Sequence, residues 1–246
     1  MPESPNEILL VTPVWNDADR LGVFGETLAP ALAACDLPIR WLIADDCSGG
    51  NQPERLAGLR EKFSAIFPNV HLHIADAHRG KGSVVREAWT LRPDADFLAF
   101  VDADGAIPAP DLLCLIEQAV EQDSSVLGIR KRTDHTRVVA SPYRNFIHYA
   151  FLFCAHHLLD LQCADPQCGV KILKGSDYRR IAHRLEEIGL AFDSELLATL
   201  KRSGSEWLET PVNWTEKKGG KVKPVRHGWG MLLALFRIRR RLEEPF

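Results

Sequence analysis

The sequence predicts an α/β protein with a mostly parallel central sheet flanked by helices. Two observations carry that expectation. Short apolar runs alternate with helix-like patterns through the first 108 residues, and carboxylates recur where successive runs end. The alternation gives the βαβ order of a parallel sheet. Such sheets bind ligands outside the carboxyl ends of their strands, which is where these acids fall.

Taken in order, "EILLVTPV" (7–14), "IRWLIADD" (39–46), "VHLHIAD" (70–76) and "DFLAFVDAD" (96–104) read as buried strands. Helix-like stretches lie between them at 18–35, 53–66 and 82–91. Beyond Pro108 the pattern changes. "PDLLCLIEQAVEQ" (110–122) is an amphipathic helix with a proline near its start. "SVLGIR" (125–130) reads as a strand and "RKRTDHTR" (130–137) as a basic loop. "PYRNFIHYAFLFCAHHLLDL" (142–161) has a strongly apolar helical pattern, and a core helix fits it better than an interfacial one. "CGVKILK" reads as a strand, "DSELLATLKRSG" as a helix with Asp193 as its N-cap, "SEWLETPVNWTE" as a strand and "KKGGKVKP" as a flexible basic loop. No repeat or low-complexity linker interrupts the chain, so one domain is expected over 1–246.

Composition narrows the class. The chain has 246 residues, 46% apolar and 26% charged, which suits a globular α/β protein with a proper core. A formal charge of −3 offers no whole-protein argument for nucleic-acid binding. Six cysteines without a CxxC imply reduced thiols and a cytosolic compartment. The start carries no signal-peptide pattern, and no apolar run reaches the ~18 residues of a membrane span.

The chemistry concentrates in "VDADG". Asp102 and Asp104 alternate along one strand end and share a side. Two anions together need a cation, and a pair of hard oxygen ligands suits Mg²⁺ or Mn²⁺. A helix cap plus a turn acid explains either residue alone. In "ADDCSGG" (44–50), Asp45 or Asp46 could hydrogen-bond a base or ribose, although a strand-to-helix turn accounts for the segment equally. In "HRGKGSVVREAW" (78–89), two glycines allow close backbone approach and Lys81 offers a charge, without a nucleotide-loop spacing. The His and Cys of "HHLLDLQCADPQCGVK" match no zinc ligand set, and the two histidines fit one packed and one solvated helix position. The lysines and glycines of "WTEKKGGKVKP" suit a solvated loop or a phosphate-closing lid.

In this order the motifs resemble the family-2 glycosyltransferases with the GT-A (Rossmann-like) fold. The branch is the one that glycosylates polyprenyl phosphates, nearest the dolichyl-phosphate glucose synthases and further from the mannose synthases. "TPVWND", "ADDCSGG", "RGKGSVVREA", "DADGAIP", "GIR", "YRNFIH", "DPQCGVKI", "AFDSELL" and "VNWTEKKGGK" carry it, over about 8–225. The resemblance implies inverting, metal-dependent transfer of a hexose, glucose from UDP-glucose first, to a dolichyl- or undecaprenyl-type phosphate. It implies a nucleotide-binding half (1–108), an acceptor and lid half (109–226) and a basic C-terminal helix (227–246). Pro13, Trp15 and Asp17 would line the base pocket, with Asp45, Asp46 and Lys81 on the donor. Asp102, Ala103 and Asp104 would contact the donor, with Asp104 the main metal ligand. Arg130, Arg144 and Lys221 match positions that serve phosphates, and Gln167 and Asp193 would face the sugar or the acceptor. The sequence departs from the pattern where Cys47 replaces a glycine, Asp17 a glutamate, Trp15 a tyrosine, "GGKVK" the block "GSK", and Ala106 the glutamine of mannose-synthase-like sequences.

A lipid phosphate is already anionic, since the second pKa of a phosphomonoester is ~6, and needs little general-base help. A hydroxyl acceptor would need a base, and Asp193 is the candidate. "LLALFRIRRR" (232–241) could touch an anionic membrane surface or pack on the domain. Transfer to a soluble saccharide or small molecule is the alternative within the same fold. A non-catalytic nucleotide-sugar-binding protein is the alternative of another class.

Overall fold

The computed structural model describes residues 5–217 and 224–244. The elements run β1 (Ile8–Val14), α1 (Ala18–Ala33), β2 (Ile39–Asp45), α2 (Gln52–Ser64), β3 (Val70–Ile74), α3 (Lys81–Thr90), β4 (Phe97–Val101), α4 (Ala109–Glu121) and β5 (Ser125–Ile129). There follow β6 (Val138–Val139), α5 (Pro142–Leu159), β7 (Val170–Lys174), α6 (Gly175–Ile181), α7 (Phe192–Arg202), β8 (Trp207–Pro211), β9 (Trp214–Thr215) and α8 (Pro224–Leu242). A seven-stranded sheet has the order β3-β2-β1-β4-β7-β5-β8. Pairing is parallel from β3 to β4 and between β5 and β8, and β7 runs antiparallel to both its neighbours. The mostly parallel sheet is therefore as expected, and it draws strands from both halves of the chain.

The unbroken apolar runs of β1 and β4 follow from helices on both faces. Along β1, Ile8 and Leu10 point to a core shared with α1, α2 and α4. Leu9 and Val11 point to a second core shared with α3, α5, α6, α7 and α8. β3 lies at the sheet edge and is correspondingly less buried.

Three local features were not legible in sequence. α6 and the 3-10 turn Ala182–Arg184 lie within a stretch that gave no helical pattern. The segment read as one strand over "SEWLETPVNWTE" is two strands in different sheets. Pro211 has no N–H to continue the ladder, and Asp111 of α4 captures Asn213 through its backbone N–H (2.6 Å) and its Nδ2 (3.1 Å). The chain turns there, and β9 pairs with β6 instead. The third is the start of α7. Its N-cap is Ala191, not Asp193, whose carboxylate is drawn inward by lysines.

α8 packs on the body of the protein through Ala234, Leu235 and Ile238. Its Arg237 donates to Glu187 (3.1 and 2.9 Å). Arg241 reaches Glu186 (3.0 Å), Glu187 (2.7 Å) and Glu195 (2.7 Å). These arginines of the basic segment thus face acids of the same chain. No helix among the described residues is long and apolar enough to cross a membrane.

α1 and α2 meet where Gly25 faces the fully buried Phe63 ring, and a Cβ there would come within 2.8 Å of Phe63 Cε1 and nearer still to other ring atoms. Gly25→Ala is expected to destabilise the fold, because overpacking costs about 1–3 kcal/mol and outweighs the ~1 kcal/mol that alanine contributes in a helix. The denaturation midpoint measures it, and a midpoint at or above wild type would contradict this packing.

Candidate functional site

The strand ends β1, β2 and β4 open on one side of the sheet, and the loops after them are stapled together by their own acids. Asp45 is fully buried, and its carboxylate accepts the Ser48 hydroxyl and the Ser48 N–H (3.2 Å). Ser48 Oγ in turn accepts the Asn16 N–H (2.6 Å) from the loop after β1. Asp46 is also buried and accepts the N–H groups of Arg79 (2.9 Å) and Gly80 (2.7 Å), with His78 Nδ1 at 2.7 Å. His78 stacks on Trp15 at 4.1 Å between centroids, with 10° between planes. Both acids therefore shape this wall through the turns they hold.

Cys47 stands in the left-handed region at φ 53°, a conformation that glycine adopts without strain. Its thiol donates to the Asp76 carbonyl at 3.7 Å. Gly80 has φ 117°, and a Cβ there would lie 2.7 Å from the Ile188 carbonyl. The loop carrying Lys81 is thus packed against the 187–189 segment.

Asp102 and Asp104 sit just past β4, and Asp102 N–H still bonds the Gly169 carbonyl at 2.9 Å. A Cβ at Gly169 would lie 2.8 Å from Asp102 Cγ, so the absence of a side chain there makes room for the carboxylate. Asp104 accepts the Ala106 N–H (2.9 Å) and faces Arg20 at 3.8 Å. Arg20 is itself held by Asp17, with Nε–Oδ distances of 3.0 and 2.8 Å. Burial, and then the neighbouring Asp102, hold the Asp104 carboxyl above its usual range.

A ladder of alternating charge runs inward from Asp102. Lys81 Nζ lies 2.9 Å from Asp102 and 3.2 Å from Asp193. Lys171, only 1% exposed, donates to the other Asp193 oxygen (2.9 Å) and to the Cys168 carbonyl (3.0 Å). Both ammonium groups flank the Phe100 ring, at 4.5 and 5.3 Å from its centroid. Burial alone would raise the Asp193 pKa, but Lys171 and Lys81 overcome it and hold the carboxyl below the usual range.

A second buried pair lies under the basic loop. Arg130 donates to Asp165 through Nε (2.6 Å), Nη2 (2.7 Å) and its backbone N–H (3.1 Å). His148 Nδ1 is 3.3 Å from Arg130 Nη2, and the guanidinium lies 5.3 Å from the Trp214 ring centroid. Arg130, Lys131, Arg132, Asn145, His148 and Tyr149 line much of a cavity of about 370 Å³. Gln167 is half-buried, with its Nε2 3.9 Å from Met231 Sδ of α8. Pro13 is half-buried at the end of β1, and Ala103 is buried between the paired acids. Arg144 lies in the first turn of α5, and Lys221 lies outside the described residues.

The structure thus brings together Asp17, Lys81, Asp102, Asp104 and Asp193, and sets Arg130 with the cavity. Sequence reasoning missed Arg20, His78, Asp165 and Lys171. Asp165 and Lys171 lie within the quoted block "DPQCGVK", and a lysine inside an apolar strand was the available signal. Arg20 carried none, since an arginine on a helix start reads as solvated.

Two hard carboxylates just past a strand end, near enough that Asp102 raises the Asp104 pKa, fit Mg²⁺ or Mn²⁺. The described residues hold no group of three or more His, Cys, Asp or Glu side chains that could bind a metal by themselves. Phosphate and water oxygens would complete such a coordination shell.

No family model matches this chain. It is 27% identical over 235 residues to the dolichyl-phosphate beta-glucosyltransferase of Mus musculus, covering 90% of this chain and 72% of that one. It is 24% identical over 219 residues to the undecaprenyl-phosphate mannosyltransferase of Micrococcus luteus, covering 88% and 86%. The fold matches that of a glucosyl-3-phosphoglycerate synthase from Mycobacterium tuberculosis, crystallised with Mn²⁺, UDP and glucosyl-3-phosphoglycerate. The TM-score is 0.67 at 12% identity, covering 98% of this chain and 81% of that one. The α/β architecture is therefore that of the GT-A glycosyltransferases.

Asp165→Ala is expected to cost about 3–5 kcal/mol at neutral pH by leaving Arg130 buried and unpaired. Burial raises the Asp165 pKa, but the Arg130 hydrogen bonds more than offset it and lower the carboxyl overall. Its stabilisation is thus complete above the unfolded-state pKa of ~3.9 and lost as pH falls through the lower folded-state value. Urea titrations from neutral to strongly acid pH measure this, and a wild-type-like acid limb in the variant would contradict it. Cys47→Gly is expected to raise stability modestly by relieving the left-handed strain, which a melting curve checks.

Proposed function

We infer that this chain, a glycosyltransferase related over nearly its whole length to enzymes of polyprenyl-phosphate glycosylation, transfers a hexose from a nucleoside-diphosphate donor to a polyprenyl phosphate. Glucose from UDP-glucose is the leading donor, on the strength of the glucosyltransferase relative. The reading rests on one observation above others. The Asp193 carboxylate, expected to serve as base for a hydroxyl acceptor, is buried and held by two ammonium groups. A carboxylate so paired is a poor proton acceptor. A phosphate acceptor needs no such base, because it arrives as an anion.

The remaining roles are those the family resemblance implies, and the positions of the described residues support them. Pro13, Trp15 and Asp17 form the base-side wall, and the turns of Asp45 and Asp46 hold it in register. Asp102 and Asp104 would hold a divalent cation, which supplies charge neutralisation on the departing diphosphate. Lys81 sits beside them as a fixed positive charge. Arg130, fixed by Asp165, presents its guanidinium to the cavity, with Lys131, Arg132 and His148 beside it. That cationic cavity suits the acceptor phosphate. On the resemblance alone, Arg144 and Lys221 are further phosphate partners and Gln167 faces the transferred sugar or the acceptor.

The deciding experiment is a donor panel with Mn²⁺ or Mg²⁺, with and without polyprenyl phosphate. Transfer is expected only with the lipid phosphate and to stop on chelation. Efficient transfer to a soluble sugar would overturn the acceptor, and binding without any transfer would overturn catalysis. Asp104→Asn is expected to lower kcat/KM on the order of 10²-fold or more, by analogy with losing one transition-state charge partner. Asp193→Asn should leave the shape of the pH–rate profile unchanged, whereas loss of an acid limb would restore Asp193 as a general base.

A further inference from the structure

We propose that His78 is the residue that reads the donor's base, over a stacking floor made by Trp15, and that it selects a base whose ring carries an N–H, as uracil does. The inference rests on the reading of the chain as an enzyme with a nucleoside-diphosphate donor, and goes further by naming the selector. The two rings come from different loops, one after β1 and one after β3. They stack at 4.1 Å between centroids with 10° between planes. Both stay exposed, Trp15 at 40% and the His78 side chain at 45%. Both are also anchored on the one turn after β2. The N–H of Asn16, next to Trp15, donates to Ser48 Oγ (2.6 Å), and Asn16 Oδ1 accepts the Gly49 N–H (2.8 Å). His78 Nδ1 lies 2.7 Å from the buried Asp46. Aromatic rings held in solvent at the carboxyl ends of a parallel sheet stand where such sheets bind nucleotides.

Hydrogen-bond chemistry assigns the roles. The Asp46 carboxylate already accepts the N–H groups of Arg79 and Gly80. Its bond to His78 therefore needs the proton on Nδ1. The neutral ring then presents Nε2, turned away from Asp46, as an acceptor. A base laid on the indole in the plane of the imidazole meets Nε2 with its Watson–Crick edge, the edge by which unstacked bases are read. Uracil offers N3–H there. Cytosine offers its N3 as a second acceptor, and two lone pairs then oppose each other. Asp45 and Asp46, expected from sequence to bond the base or ribose, are buried, and their oxygens hold Ser48 and the turn before α3. His78 thus carries to the surface what the buried Asp46 does not offer directly, and Trp15 supplies a face on which any base stacks.

Calorimetric titration of the full chain with UDP and with CDP, both in Mn²⁺, tests this without turnover. Wild type is expected to bind UDP about tenfold more tightly than CDP. His78→Asn keeps an amide N–H for Asp46 but has no group at the Nε2 position, and it should bring the two affinities within about twofold. Trp15→Leu should weaken both about tenfold and leave their ratio unchanged. UDP methylated at N3 should bind wild type about tenfold more weakly than UDP does, which supplies the test on the unaltered chain if a melting curve shows that His78→Asn is unfolded. Absence of a wild-type preference for UDP overturns the proposal, as does methylated UDP bound as tightly as UDP. A preference that survives His78→Asn, even with both affinities lowered, would leave His78 a loop anchor only and overturn it too. Wild type that binds no nucleoside diphosphate at all would overturn the donor reading along with it, whereas binding without selectivity overturns the role of His78 alone.

Discussion

The site depends on a ladder in which carboxylate and ammonium alternate from the half-exposed Asp102 through Lys81 to the buried Asp193 and Lys171. Each rung makes the next tolerable. An isolated lysine as buried as Lys171 would be driven to neutrality, and an isolated Asp193 would take up a proton. Paired with Lys171 and Lys81, the Asp193 carboxyl is held below its usual range, and the charge of Lys81 lies beside Asp102. The cost of burying these groups is offset only while the ladder is complete, since removing one member of a buried pair leaves its partner uncompensated. β4, β7, α3 and α7 each contribute a rung or its support, so the sheet and the helices of one face must close together for the site to exist.

The same device recurs at smaller scale. Arg130 reaches the cavity only because Asp165 takes two of its nitrogens and its backbone N–H. Arg20 stands near Asp104 because Asp17 holds it. Asp46 gathers the turn before α3 by accepting two backbone N–H groups. In every case an acid that looks like a ligand-binding residue positions a neighbour. This is how a protein with a modest net charge concentrates strong local fields at one edge of its sheet.

The sheet was legible because its signal is periodic. β1 to β4 with their three helices fall within a few residues of the apolar runs that announced them. The paired acids past β4 were legible because two anions together are physically anomalous. Asp165 and Lys171 were not singled out, because what makes them matter is a partner distant in sequence: Arg130 lies 35 residues from Asp165, and Asp193 lies 22 from Lys171. Asp193 itself was found for its acidity and misread as a cap, since local spacing cannot say which way a first-turn carboxylate turns. The 142–161 segment reads in sequence as a core helix, but α5 buries only one side, through Ala155 and Leu159, and leaves Phe146 and Phe153 exposed, a division that local apolarity does not reveal.

Gly82 makes a last point. A Cβ there would lie 2.7 Å from the Glu187 carbonyl and 2.8 Å from Phe192 Cγ. Glu187 is gripped from its other side by Arg237 and Arg241. The loop that carries Lys81 and the final helix of the chain therefore lean on opposite sides of one short segment. Evolutionary drift at either is constrained by the other, so substitutions around Gly82 and along the inner arginines of α8 should travel together between relatives, although the two regions are separated by most of the sequence.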